Sequence, residues 1–189
     1  IDNYFGGAQA GALGNSMFID IYQNNNKALV YINASINKQS NFTGNTIRRI
    51  EAIDPYHYLV QVYGNSIVSN NTFGEAGNNN SLVSPSLVYL TVGGNSTSGN
   101  LEVTGNKLYQ YPLTKGANNI VVQGGIGAKQ IIANNWIAAD TANLPMRSHR
   151  YTQGWSGLNV NAVFQDSIII ENNYISDGMV VGNGSNSNG

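Results

Sequence analysis

Hydrophobic positions along this chain recur in a short fixed word rather than in long amphipathic runs. The word has six positions: apolar, any, polar or small, Asn, any, large apolar. It reads FTGNTI (42–47), VSNNTF (68–73), VTGNKL (103–108), IANNWI (132–137) and IENNYI (170–175), with VYGNSI (62–67) as an offset match. The aligned residues Asn45, Asn71, Asn106, Asn135 and Asn173 stand 26, 35, 29 and 38 residues apart. Self-similarity at such a period marks stacked repeats. The two apolar residues flank a bend and both point inward, while the Asn between them takes the corner and satisfies backbone groups there. Stacked like on like, such amides can also form ladders along a column of strands.

Between the words lie apolar stretches of strand length at 18–22, 28–32, 59–62, 87–92, 120–122, 162–164 and 167–170. Many alternate with period two, as in Val88, Tyr89, Leu90, Thr91 and Val92. No segment sustains a helical period with caps, and only residues 8–13 suit a single helical turn. Short strands at regular spacing also suit a sandwich. The recurring Asn corner and the scarcity of two-residue hairpin turns favour a solenoid instead. The expected architecture is all-β, a single-stranded parallel β-helix over residues 18–181 with an inserted loop near 138–157. Residues 1–17 read as a lead-in or as the continuation of a preceding part, and residues 182–189 as a polar tail.

Composition sharpens this reading. Charged residues make up 10% of the chain, against roughly a quarter in ordinary soluble proteins. Asn, Ser, Thr, Gln and Gly replace them, with thirty Asn in the 189 residues. Asn tolerates the left-handed backbone region and bonds its own neighbourhood, so it suits sharp corners between short strands. A net charge of −1 argues against nucleic acid as a partner. No run of eighteen apolar residues is present, so no membrane insertion is expected, and no signal peptide is visible. The start at Ile1 and the polar end read as those of a fragment or processed product. Absence of Cys removes disulfides, thiolate chemistry and Cys-based zinc sites.

The words IIANNWI and IIIENNYI resemble the repeats of right-handed parallel β-helix proteins, the group of pectate lyases and bacteriophage tailspikes. The resemblance covers roughly residues 18–181. It implies a right-handed solenoid that acts on carbohydrate, although one such column supports several chemistries and some inert stalks. The low charge, the ends and the missing Cys look more like a tailspike than a secreted lyase. A tailspike implies three columns side by side, hence a homotrimer, and a location on the virion or outside the cell.

Chemistry on a solenoid sits on one lateral face and in inserted loops. Nine of the 21 acidic, basic and His residues fall within 48–57 and 140–150. The first cluster holds Arg48, Arg49, Glu51, Asp54, Tyr56, His57 and Tyr58. The second holds Asp140, Arg147, His149, Arg150, Tyr151 and Trp155. Aromatic faces take up sugar CH surfaces, and Arg or carboxylate groups bond hydroxyls, so Arg48, Arg49, Tyr56, His57, Tyr58, Tyr151 and Trp155 are the carbohydrate-binding candidates. Hydrolysis needs two carboxylates, about 5–5.5 Å apart for retention or about 6.5–9.5 Å for inversion. Glu51, Asp54 and Asp140 are the candidates, with Asp140 pairing across repeats. Elimination needs a base and a cation to hold the enolate, which Arg147, His149 and Arg150 would supply.

A blander reading stands beside this one: Arg48, Arg49, Glu51 and Asp54 also suit a solvated surface ion-pair set. Glu75, Glu102, Asp166 and Asp177 fit turns and strand edges, and Glu171 beside Asn172 could face a groove. No cofactor is expected. Asp and Asn oxygens could take calcium, but no calcium-loop motif is present, and two distant His residues make no zinc site. The leading expectation is a tailspike β-helix that binds and depolymerises a bacterial surface polysaccharide. The rivals are a cellular pectate-lyase-like lyase or hydrolase and a non-catalytic shaft or adhesin.

Overall fold

The structure is a computed structural model that describes residues 3–5, 17–19, 27–33, 38–48, 50–52, 57–74, 82–83, 87–93, 99–109, 118–123, 128–138, 156–161 and 165–175. Every element among them is a strand, and none is a helix. In chain order β1 (Tyr4–Phe5) stands before the first set as the counterpart of β5, with which it pairs, and the first set is β2 (Met17–Ile19), β3 (Lys27–Asn33), β4 (Ser40–Thr43) and β5 (Thr46–Ile47). The second is β6 (Ile50–Ala52), β7 (His57–Tyr63), β8 (Ser66–Ser69) and β9 (Thr72–Phe73). The third is β10 (Leu82–Val83), β11 (Leu87–Gly93), β12 (Leu101–Thr104) and β13 (Lys107–Leu108). Two shorter sets follow: β14 (Asn118–Gln123), β15 (Ala128–Ala133) and β16 (Trp136–Ile137), then β17 (Ser156–Asn161), β18 (Gln165–Glu171) and β19 (Tyr174–Ile175).

Like strands of successive sets pair, and every pairing among the described residues is parallel. Four sheets result, in the orders β1-β5-β9-β13-β16-β19, β10-β6-β2, β17-β14-β11-β7-β3 and β18-β15-β12-β8-β4. The antiparallel sandwich is thereby excluded for these residues, since adjacent strands of a sandwich pair through hairpins.

The register explains why the six-residue word recurs. Phe42, Val68, Val103 and Ile132 align as its first position, and Ile47, Phe73, Leu108 and Ile137 as its last. All eight are buried and belong to one hydrophobic core. Each of these side chains stacks on its counterpart about 4.8 Å away in the next set, so an apolar residue at one position demands an apolar residue at the same position in its neighbours.

The middle of the word divides two jobs between adjacent residues. The third position carries the bend: Gly44, Asn70, Gly105, Asn134 and Asn172 all have positive φ, between 53° and 71°. Only Gly and Asn adopt that region at low cost, and only Gly and Asn occur there. The fourth position carries the amide. Asn71 Oδ1 accepts from Asn45 N–H and Asn45 Nδ2, both at 2.9 Å, while Asn71 Nδ2 donates to Phe42 O and to Asn106 Oδ1. Asn106 repeats the pattern toward Val68 O and Asn135, and Asn135 toward Val103 O and Asn173. An Asn side chain has two donor hydrogens and an oxygen with two lone pairs. Asn71, Asn106 and Asn135 use all four, which is how a polar side chain sits fully inside the core without an uncompensated group.

The offset match VYGNSI lies elsewhere. Gly64 also has positive φ, but Asn65 stands between β7 and β8 with its buried Oδ1 unpartnered, and Ser66 rather than Ile67 is the buried neighbour. In β7 the expected alternation is overridden: Leu59, Val60, Gln61 and Val62 are all buried. Both faces of that strand are covered, as is usual for an interior strand of a parallel sheet. The strand expected at 162–164 and the helical turn at 8–13 lie outside the described residues, whereas β17 starts inside the segment read as the end of an inserted loop.

Candidate functional site

The two polar clusters singled out in the sequence fall mostly outside the described residues. That holds for Arg49, Asp54, Tyr56, Asp140, Arg147, His149, Arg150, Tyr151 and Trp155, and for Glu75 and Asp177. Four members of the first cluster are placed. Arg48 follows β5 and is half-buried. Glu51 is the middle residue of β6, in register with Phe18 on one side and Val83 on the other. His57 opens β7 between Lys27 and Leu87, and Tyr58 follows between Ala28 and Val88. These four positions are therefore spread over three sheets as the chain passes from one to the next, rather than along one strand.

The isolated acids fare differently. Glu102 is half-buried on β12 and accepts from Thr104 Oγ1 at 3.4 Å, while Asp166 and Glu171 are exposed on β18. Among the described residues no cluster of His, Cys, Asp and Glu has the makings of a metal site.

What the described surface does present is aromatic. Trp136 and Tyr174 occupy the fifth, outward position of the word in consecutive sets and are in register between β16 and β19. Their rings stack with centroids 4.3 Å apart and planes 19° from parallel. Both remain open to solvent, Trp136 at 36% and Tyr174 at 47%. Exposed Asn134 and Asn172, the positive-φ residues of the same two words, stand two residues before the rings. Lys107, also exposed, holds the same outward position one set earlier, in register with Trp136. A second aromatic pair lies on the β3–β7 sheet. There Tyr31 meets Tyr63 edge-on at 5.6 Å, and Gln61 Nε2 donates to Tyr63 Oη at 3.1 Å.

The Trp136–Tyr174 pair is inconspicuous in the sequence because the repeat word leaves its fifth position free and the polar clusters gather around charge. The available signal was the choice of residue at that free position: Thr46, Thr72 and Lys107 give way to Trp and Tyr in the last two sets. Asn3 was also missed. It donates from N–H and Nδ2 to Asn45 Oδ1, extending the ladder into residues 1–17, and Ile1, Asp2, Asn3, Tyr4 and Phe5 fit the second to sixth positions of the word.

Compared with protein-family models, with curated proteins and with solved structures, the chain matches none. The resemblance drawn from the repeat words thus brings no family assignment with it.

Proposed function

We propose that the chain is a right-handed, single-stranded parallel β-helix whose lateral surface binds a bacterial surface polysaccharide, in the manner of a phage tailspike on a virion. The solenoid reading is supported by like-on-like parallel pairing across five successive sets and by an amide ladder from Asn3 to Asn173. Carbohydrate binding is carried by one observation: aromatic rings stand exposed, with amide side chains beside them, on a rigid and nearly uncharged sheet surface. Sugars offer just these complements, apolar CH faces edged by hydroxyls, and rigid placement limits the ordering cost of binding.

Cleavage is part of the proposal through the residues of the two sequence clusters. Glu51, Asp54 and Asp140 would serve a hydrolase, and Arg147, His149 and Arg150 a lyase. Three copies side by side would form the working particle. The regular ladder, which supplies rigidity and no chemistry, equally supports a shaft that binds without turnover.

A panel of capsular and O-antigen polysaccharides tests all of this at once, with chain length followed together with the ultraviolet absorbance of unsaturated uronate ends. Shortening with new absorbance supports the lyase, and shortening without it the hydrolase. Binding alone supports the shaft, and no binding to any glycan overturns the reading.

A further inference from the structure

We infer that the open edge formed by β18 and β19 is a docking site for an extended segment of another polypeptide, one that carries the same six-residue word and lies parallel to it. The inference rests on the observed stacking and holds whether or not the lateral surface binds glycan.

Each set offers the same bonds to the set after it. Asn135 N–H and one Asn135 Nδ2 hydrogen converge on Asn173 Oδ1, Asn135 O accepts from Tyr174 N–H, and Ile132 O accepts from Asn173 Nδ2. The same arrangement runs forward from Phe42 and Asn45, from Val68 and Asn71, and from Val103 and Asn106. β18 and β19 are the outer strands of their sheets. The equivalent groups, Asn173 N–H, Nδ2–H and O with Ile170 O, therefore have no following set among the described residues. The apolar columns stop at the same place. Ile170 and Ile175 are exposed, although their register partners Ile132 and Ile137 are buried.

These groups specify the occupant. Two converging N–H donors take one amide oxygen, and an Asn at the fourth position of an incoming word supplies it while returning its own Nδ2 to Ile170 O. Apolar residues at the first and sixth positions would cover Ile170 and Ile175, and Gly or Asn at the third would make the bend. Main-chain bonds along such an edge supply affinity, and alternate side chains supply specificity.

Charge argues for a different polypeptide over a second copy. Exposed Asp166 and Glu171 bracket Ile168–Ile170. An antiparallel copy of β18 centred between Ile168 and Ile169 would set Asp166 against Glu171, a destabilising like-charge pair. The words of a folded second copy between residues 42 and 137 are already flanked on both sides. A partner segment with Lys at the second position of its word, opposite Glu171, gains a charge-assisted contact instead.

The probe is a blocked, fluorophore-labelled peptide with the sequence of residues 101–108, titrated into the full chain at up to about 1 mM. A saturable rise in anisotropy is expected, together with protection of the second Nδ2 hydrogen of Asn173 in the NMR spectrum. Asn106→Leu in the peptide should weaken binding about tenfold or more, and the same residues in reversed order should not bind. Thr104→Lys in the peptide should tighten binding about threefold, and Glu171→Gln in the chain, at an exposed site, should erase that gain.

Equal binding of the parent, Asn106→Leu and reversed peptides would reveal a merely sticky edge and overturn the site. Absence of binding by every peptide overturns it too, and is the result expected where the chain's own residues cover the edge. Dimers in sedimentation that the peptide disperses would make a second copy the occupant and overturn the assignment to a different polypeptide.

Discussion

The first and last complete words of the chain have the same pattern but different surroundings. Phe42 and Ile47 hold the two inward positions of the first and are 4% and 0% exposed, whereas Ile170 and Ile175 hold the same positions in the last and are 52% and 43% exposed. Their asparagines differ in the same way. Asn45 is fully buried, with Asn3 bonded on one side and Asn71 on the other. Asn173 is half-buried; it accepts from Asn135 and donates to Ile132 O, but no described residue takes its second Nδ2 hydrogen. Burial in this architecture is thus not a property of the word but of having a copy of the word on each side. A repeat contributes little alone and most when flanked, the nearest-neighbour behaviour expected of stacked repeats.

Removing one amide from the middle of the ladder and one from its end should have the largest and most unequal effects. Asn106→Leu removes the side-chain partner of Asn71 N–H and Val68 O and one of the two bonds of Asn71 Nδ2 and Asn135 Oδ1, all in the core, and should cost about 4 kcal/mol or more in denaturant melts. Asn135→Leu should be similar. Asn173→Leu leaves fewer groups unmet, at a site solvent can reach, and should cost about 1–2 kcal/mol. Equal losses at Asn106 and Asn173 would show that flanking does not matter.

Next in size is the apolar core. Ile132→Ala removes a buried side chain flanked by Val103 and Ile170 and should cost about 3 kcal/mol, while Ile170→Ala should cost about 1 kcal/mol.

A smaller effect separates the bend from the amide. Gly105 has φ of 65°, and a Cβ there would lie 2.4 Å from Asn70 Oδ1. Gly105→Ala should therefore destabilise by about 1–2 kcal/mol. Asn172→Gly, at the equivalent exposed bend, should be close to neutral.

The smallest change has the opposite sign. Gln130 is fully buried in register between Leu101 and Ile168, with neither Nε2 nor Oε1 partnered. Gln130→Leu should stabilise by about 1 kcal/mol, because it removes an unpaired amide from between two apolar neighbours. A loss of stability would mean that the amide has a partner when the protein is in solution.

Much of this architecture was legible in the sequence because a buried amide leaves little choice of residue. Asn45, Asn71, Asn106, Asn135 and Asn173 fit a space that accepts and donates at fixed spacing, and no other side chain of that length does both so completely. Their recurrence, with apolar residues two before a bend and two after the amide, was enough to place the parallel stacking. The bend was read less well, since Gly or Asn at the third position and Asn at the fourth look like one polar spot until φ separates them. VYGNSI misled because the same letters suit a different corner, where Asn65 Oδ1 finds no partner. β17 was hidden because Ser156 and Gly157 fall in the segment read as loop and Asn159 and Asn161 interrupt its apolar residues, although Leu158 and Val160 alternate toward the core.

The candidate site was less legible for a physical reason. Rarity of charge drew attention to residues 48–58 and 140–155, whereas the outward positions of a stacked sheet are free of packing constraint. Trp136 and Tyr174 become conspicuous only when the register puts them side by side.

The amide ladder is tested most directly by hydrogen exchange of Asn side-chain amides, observed by NMR on Asn-labelled protein. Of the thirty Asn residues, Asn71, Asn106 and Asn135 should keep both Nδ2 hydrogens protected up to the free energy of global unfolding, with Asn173 protecting one and exchanging the other quickly. Side-chain amides that all exchange at the rate of exposed Asn would contradict the ladder, and with it the stacked architecture on which the proposed binding surface is built.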